Sequence, residues 1–126
     1  MTGMPRLQAI RGAITVPANE RQPILQATGE LLGAILGANG LVADDIVSAI
    51  FTMTGDLDAV FPAEAARDIG WNQVPLLCCR EIDVPGSLPR CVRVMVHVET
   101  PRDRAAIQHV YLREATRLRP DLSSPQ

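Results

Sequence analysis

The sequence contains no lysine: all twelve of its basic residues are arginine. That excludes Schiff-base catalysis on a lysine, a pyridoxal-phosphate anchor and a P-loop lysine. Any anion held by side-chain cations must be held by arginine. Aromatic residues are scarce, with one Trp, one Tyr and two Phe. There is also no basic run, so the footprint of a nucleic-acid partner is missing. No apolar run is long enough to span a bilayer, the longest being Leu31 to Ala38 beside Glu30. The N-terminal MTGMPRLQ has no apolar signal-peptide core. We therefore expect a cytoplasmic protein without a membrane partner. The three cysteines show no CxxC pair and no Cys/His spacing suited to zinc. No metal site is expected, and free thiols are the default in a reducing compartment.

What is present suffices for one domain over residues 1–126, with 47% hydrophobic residues and a formal charge of −2. The stretch from Val74 to Val98 reads as two strands joined by a turn. In its second half Val92, Val94, Val96 and Val98 fall on one face, and Cys91, Arg93, Met95 and His97 on the other, because strand side chains have period two. Leu7 to Val16 repeats the pattern, with Ile10, Gly12, Ile14 and Val16 opposite Ala9, Arg11 and Ala13. Two strands thus carry an arginine in mid-strand, away from the apolar face. Such a side chain is either solvated or aimed at an anion.

Between them, Asn19 offers an N-cap with Gln22 at the third helical position. Pro23 is tolerated in the first turn. Ile24, Leu25, Thr28, Leu31, Leu32, Ile35 and Leu36 follow at helical spacing. Gly29, Gly33 and Gly37 would allow this helix to approach a sheet closely, and Gly40 is a plausible stop. Ile46 to Met53 reads as a strand, Gly55 as a turn, and Pro62 to Asp68 as a short helix closed by Gly70. Thr100 to Asp103 is a capping signature. Residues 107–118 suit strand around His109–Leu112 and helix around the alanines, and stay open. The tail, about 120–126 with Asp121 to Gln126 at its core, is expected to be mobile. The expected class is α+β, with four or five strands, one long helix on one sheet face, and a second face bearing the arginines. Too little chain remains to cover that face, so a homo-oligomer with clefts between subunits is expected.

IRGAITV (10–16), DLDAVFPAEAAR (56–67), VPLLCCREIDV (74–84), CVRVMVHV (91–98) and HVYLREATRLRPDL (109–122) together resemble the monofunctional AroH-class (Bacillus-type) chorismate mutases, nearly end to end. The resemblance implies a Bacillus chorismate mutase-like mixed β-sheet and a homotrimeric pseudo-α/β barrel with sites at the subunit interfaces. It implies a Claisen rearrangement of chorismate to prephenate, on the route to phenylalanine and tyrosine, with no cofactor and no covalent intermediate. It places Arg11, Arg67, Cys78, Glu81, Arg93, Tyr111 and Arg119 at site positions, and Phe61, Ala63 and Leu118 on the walls. Arg93, Arg11 and Glu81 would carry the catalysis. Glu64 stands where that family often has lysine, and Leu77 where it has a smaller polar residue.

Chorismate is a dianion, and an arginine fork matches a carboxylate. Arg11, with Tyr111, would hold a carboxylate. Arg93 would donate to the ether oxygen, and Glu81 would accept from the ring hydroxyl with Cys78 near it. Cys78 and Glu81 are three apart, so the strand must end or bulge between them to bring both to one site. Plainer fates stand beside these roles. Arg93 and Arg11 could form ordinary ion pairs, Glu81 could pair with Arg80, and Cys78 could be a small buried hydrophobe. Arg67 could serve only as a helix C-terminal charge, and Arg119 as a tail residue ordered by ligand. No spacing sets His97 or His109 to activate Cys78. Two other functions compete: a RidA-like imine deaminase, whose characteristic segment is missing here, and a non-catalytic binder of small dicarboxylates.

Overall fold

The computed structural model describes residues 4–119, so the expectation for the tail at 120–126 lies outside the described residues. Strand β1 runs over Arg6–Thr15, helix α1 over Arg21–Asn39, β2 over Ile46–Met53, α2 over Ala63–Asp68, β3 over Leu76–Arg80, β4 over Cys91–Thr100 and β5 over Val110–Leu112. They form a five-stranded mixed sheet in the order β3-β2-β4-β1-β5. β4 is antiparallel to both β1 and β2, while β3 runs parallel to β2 and β5 parallel to β1.

This order corrects one expectation. The runs before and after the 81–90 segment are not a hairpin, because β2 lies between them. The alternation in β4 is nevertheless as read. Val92, Val94, Val96 and Val98 are all at most 3% exposed and meet Ile10 and Ile14 of β1, Phe51 of β2, and Ile24, Leu31, Leu32 and Ile35 of α1. A β-bulge between Ile46 and Ser48 shifts the phase of β2, after which Ala49 and Phe51 point into this core.

α1 stops at Gly40, whose φ of 62° is left-handed and whose N–H donates to the Leu36 carbonyl. Its start differs from expectation. Glu20 occupies the cap position without a side-chain cap bond. Asn19 instead accepts at Oδ1 from the N–H groups of Asp58 (2.9 Å) and Ala59 (3.1 Å) and donates to Asp58 Oδ1 (2.8 Å). A tertiary clamp has taken the side chain that local capping would use. Nor do the helix glycines serve close packing: a Cβ on Gly29, Gly33 or Gly37 would meet nothing within 4 Å. The close approach is made by Gly12 of β1, where a Cβ would lie 2.8 Å from Ile35 Cδ1 and 3.1 Å from the Val110 carbonyl oxygen.

Asp103 caps a 3-10 turn at Arg104–Ala106, as its signature suggested. Residues 107–118 divide into the short β5 and a 3-10 turn at Arg113–Leu118. These, with Leu88, cover one end of the second sheet face, where Ala13, Cys91 and Ala115 are buried and Tyr111 and Leu118 pack beside them. Cys91 is thus 1% exposed although it shares the Arg93 face. The rest of that face stays open, with Ile50 and Met95 exposed. No helix among the described residues is long and apolar enough to cross a membrane.

Candidate functional site

Period-two alternation brings Arg11 of β1 and Arg93 of β4 to the open sheet face, because Arg11 pairs across the ladder with Met95 and Arg93 with Ala13. Glu81 follows the end of β3, held by its N–H to the Met53 carbonyl at 2.9 Å. Its carboxylate reaches across β2, with Oε2 3.4 Å from Arg93 Nε. Thr52, on β2 between them, donates its hydroxyl to the same Oε2. Tyr111 enters from β5 opposite Ala13. Arg11, Thr52, Glu81, Arg93, Met95 and Tyr111 border one cavity of about 370 Å³. Arg80 is not the partner of Glu81, since its guanidinium donates to the Gly55 carbonyl at 3.1 Å.

The other expected residues gather elsewhere. β3 ends at Arg80 without a bulge. Leu76 and Cys78 pack toward the helix-side core, while Leu77 between them is 58% exposed. Cys78 lies against the Ala63 backbone and near the Arg67 charge, but burial dominates and pushes its thiol above the ordinary cysteine value. Phe61, 71% exposed, and Cys78 border a second cleft of about 570 Å³. Ala63, whose backbone meets Cys78, is itself buried and does not border that cleft. Arg67 is exposed at the last turn of α2. Within one chain, then, Arg11, Glu81, Arg93 and Tyr111 form one group and Phe61, Ala63, Arg67 and Cys78 another.

Leu118 is partly buried against the second small core, beside Tyr111. Arg119 lies close enough to His109 to act on its charge, together with Arg11. Both effects, after burial, hold the His109 imidazole below its ordinary value. His109 Nδ1 accepts the Arg11 backbone N–H at 3.0 Å, which assigns the neutral ring its proton on Nε2. Cys91 is pushed up to about 11, by burial first. Both Cys78 and Cys91 are therefore thiols at neutral pH, unsuited to nucleophilic work. Glu64 does not stand as a free charge, because it pairs with Arg21, whose hydrogen bond holds the carboxyl below the ordinary range.

Thr52, Met95 and His97 are cavity residues to which sequence reasoning gave no role at the site. The signal for Thr52 was present: a hydroxyl two positions after Ile50, on the face opposite Ala49 and Phe51. The bulge at the start of β2 hid the phase.

Comparison with known proteins gives concordant results. The family described as chorismate mutase type I matches residues 7–122. A Thermus thermophilus protein, chorismate mutase AroH, is 54% identical over 95% of this chain and 99% of its own length. The Bacillus subtilis chorismate mutase AroH is 45% identical over 93% of each chain. A solved chorismate mutase from Clostridium thermocellum superposes with a TM-score of 0.86 at 54% identity, covering 86% of this chain and 97% of that one.

Proposed function

The chain belongs to the type I chorismate mutases and is a chorismate mutase, and from that premise we propose that the Arg11–Glu81–Arg93 cleft carries its reaction. The observation that carries this reading is the convergence, on one cavity, of two arginines, a carboxylate and a phenol in a chain with no lysine. The rearrangement of chorismate to prephenate is unimolecular, so the protein need only bind, fold and polarise its substrate. Arg11, with the Tyr111 hydroxyl, holds a carboxylate of the dianion. Arg93 donates to the ether oxygen, where negative charge grows as the C–O bond breaks. Its donors are fixed beforehand and lose nothing to reorganisation in the transition state. Glu81 accepts the ring hydroxyl and orients Arg93 through their ion pair. Holding the folded conformer, in which the reacting carbons are close, supplies the entropic part of the catalysis.

We further propose a homotrimer, in the cytoplasm, whose sites lie between subunits. The two groups of site residues on one chain support it. The cationic cleft of one copy needs a wall, and the exposed Phe61, the half-buried Cys78 and Arg67 offer one from a neighbour. Leu118 and Arg119 would complete the cleft on its own chain. The open sheet face with Ile50 and Met95 is apolar enough to be covered by another copy.

The test is loss of chorismate ultraviolet absorbance on adding purified protein, run beside R93A. Rapid loss with wild type, and a rate lower by about 10²–10³ or more with R93A, is expected. Equal rates would refute the assignment of Arg93. No turnover by a folded wild-type protein would refute the activity.

A further inference from the structure

We propose that Thr52 is a positioning residue: its hydroxyl pins one oxygen of Glu81 so that the carboxylate's other oxygen is left to the substrate. The inference rests on the assignment of Glu81 to the substrate site. Glu81 is the least supported member of that site by local structure. It lies just past the end of β3, and only its backbone is tied, through the bond to the Met53 carbonyl. Three side-chain torsions separate that anchor from the carboxylate. Two contacts hold the carboxylate itself, from Thr52 Oγ1 and Arg93 Nε, and both fall on Oε2. Among the described residues no hydrogen bond falls on Oε1. That oxygen is the one free to accept a substrate hydroxyl.

Thr52 is placed for this by register. Across one ladder it is opposite Arg93 of β4, and across the other it is opposite Cys79 of β3, two residues before Glu81. Its hydroxyl therefore lies between the strand that carries the arginine and the strand that delivers the carboxylate.

The alternative arrangement shows what the hydroxyl prevents. Arginine favours a bidentate fork with both carboxylate oxygens. Glu81, freed from Thr52, can rotate to present Oε1 and Oε2 together to Arg93. That closed pair would engage the arginine donors needed by the breaking ether bond and would also occupy the oxygen meant for the substrate. Thr52 thus acts on turnover more than on initial binding, which Arg11 and Tyr111 carry.

The experiment compares T52V, which keeps the shape and removes the hydroxyl, with T52S, which keeps the hydroxyl. For T52V we expect kcat to fall about tenfold or more, the scale of a hydrogen bond to a charged group, with a much smaller change in KM. T52S should retain most of the wild-type kcat. In the E81Q background T52V should add little, because its effect passes through Glu81. Wild-type kcat in T52V, equal impairment in T52S and T52V, or full additivity with E81Q would each overturn the proposal. Should the wild-type protein not turn over chorismate at all, the functional reading fails on its own. The Thr52–Glu81 bond is then decided by the carboxyl-carbon NMR chemical shift of Glu81 at neutral pH, with the Glu81 signal identified by its loss in E81Q. A Glu81 carboxyl-carbon shift identical in wild type and T52V would overturn the bond itself.

Discussion

At the residue scale, the proposed chemistry depends on donors whose geometry is fixed before the substrate arrives. Arg93 is 47% exposed at its side chain yet oriented by Glu81. Charge alone does not explain its proposed role, because lysine would supply the same charge. R93K is therefore expected to lose most of its turnover while keeping the wild-type melting temperature, since a point charge on a flexible stem lacks the guanidinium fork. Near-normal kcat in R93K would show that charge suffices. His109 gives a second prediction at this scale. Burial first, then Arg11 and Arg119, hold its folded value below the 6.5 of a free imidazole. On acidification the unfolded chain takes up this proton before the folded chain does. The stability contributed by His109 is thus fully present above pH 6.5 and is lost as pH falls from there through the folded value. H109N, whose Oδ1 can accept the Arg11 N–H in place of Nδ1, should show a flatter decline in urea midpoint over that window. His97 is common to both proteins, so the difference isolates His109. Parallel declines would refute the assignment. Arg11 and Arg93 were legible in the sequence because period two fixes parity and both oppose apolar faces. His109 was not, since its partner lies 98 positions away.

At the element scale, the sheet is organised by β4, which pairs with both β1 and β2. Val94 sits at its middle, opposite Gly12 on one side and Phe51 on the other, and is 3% exposed. V94D buries an unpaired carboxylate under α1 and is expected to abolish the folded state. Near-ultraviolet circular dichroism should show loss of the signal from Trp71, which is buried in the same core. A native-like spectrum in soluble V94D would contradict the face assignment. The faces of β1 and β4 were readable from alternation, and the C-terminal end of α1 from Gly40. Partners were not. Alternation says which side a residue faces, and says nothing of which strand lies next to it. The Val74–Val98 stretch therefore looked like a hairpin, although β2 intervenes. β5 was undecidable for a related reason. Three residues have little local preference, and this strand exists through β1, Asn39 and Arg113. Asn39 exchanges hydrogen bonds with the Gln108 backbone, and Arg113 donates to the Thr15 carbonyl.

At the scale of the whole molecule, one chain displays two separate surfaces: the cationic cleft around Arg93 and the cluster of Phe61, Cys78 and Arg67 proposed as the wall of a neighbour's cleft. A trimer with sites between subunits makes each site from the first surface of one copy and the second of its neighbour. Mixing variants tests this directly. R93A damages only the first surface and R67A only the second. Each variant alone is expected to be strongly impaired. Unfolded together and refolded at equal ratio, under the proposed assembly they would form mixed trimers in which one interface joins the intact cleft of an R67A chain to the intact wall of an R93A chain. Random assembly should restore about one quarter of wild-type activity. A molecule whose site lies within a single chain would restore none, because every chain would carry one damaged half. Sedimentation equilibrium of the mixture fixes the number of copies independently, so that absent complementation in a confirmed trimer would reject the shared site and leave the assembly standing.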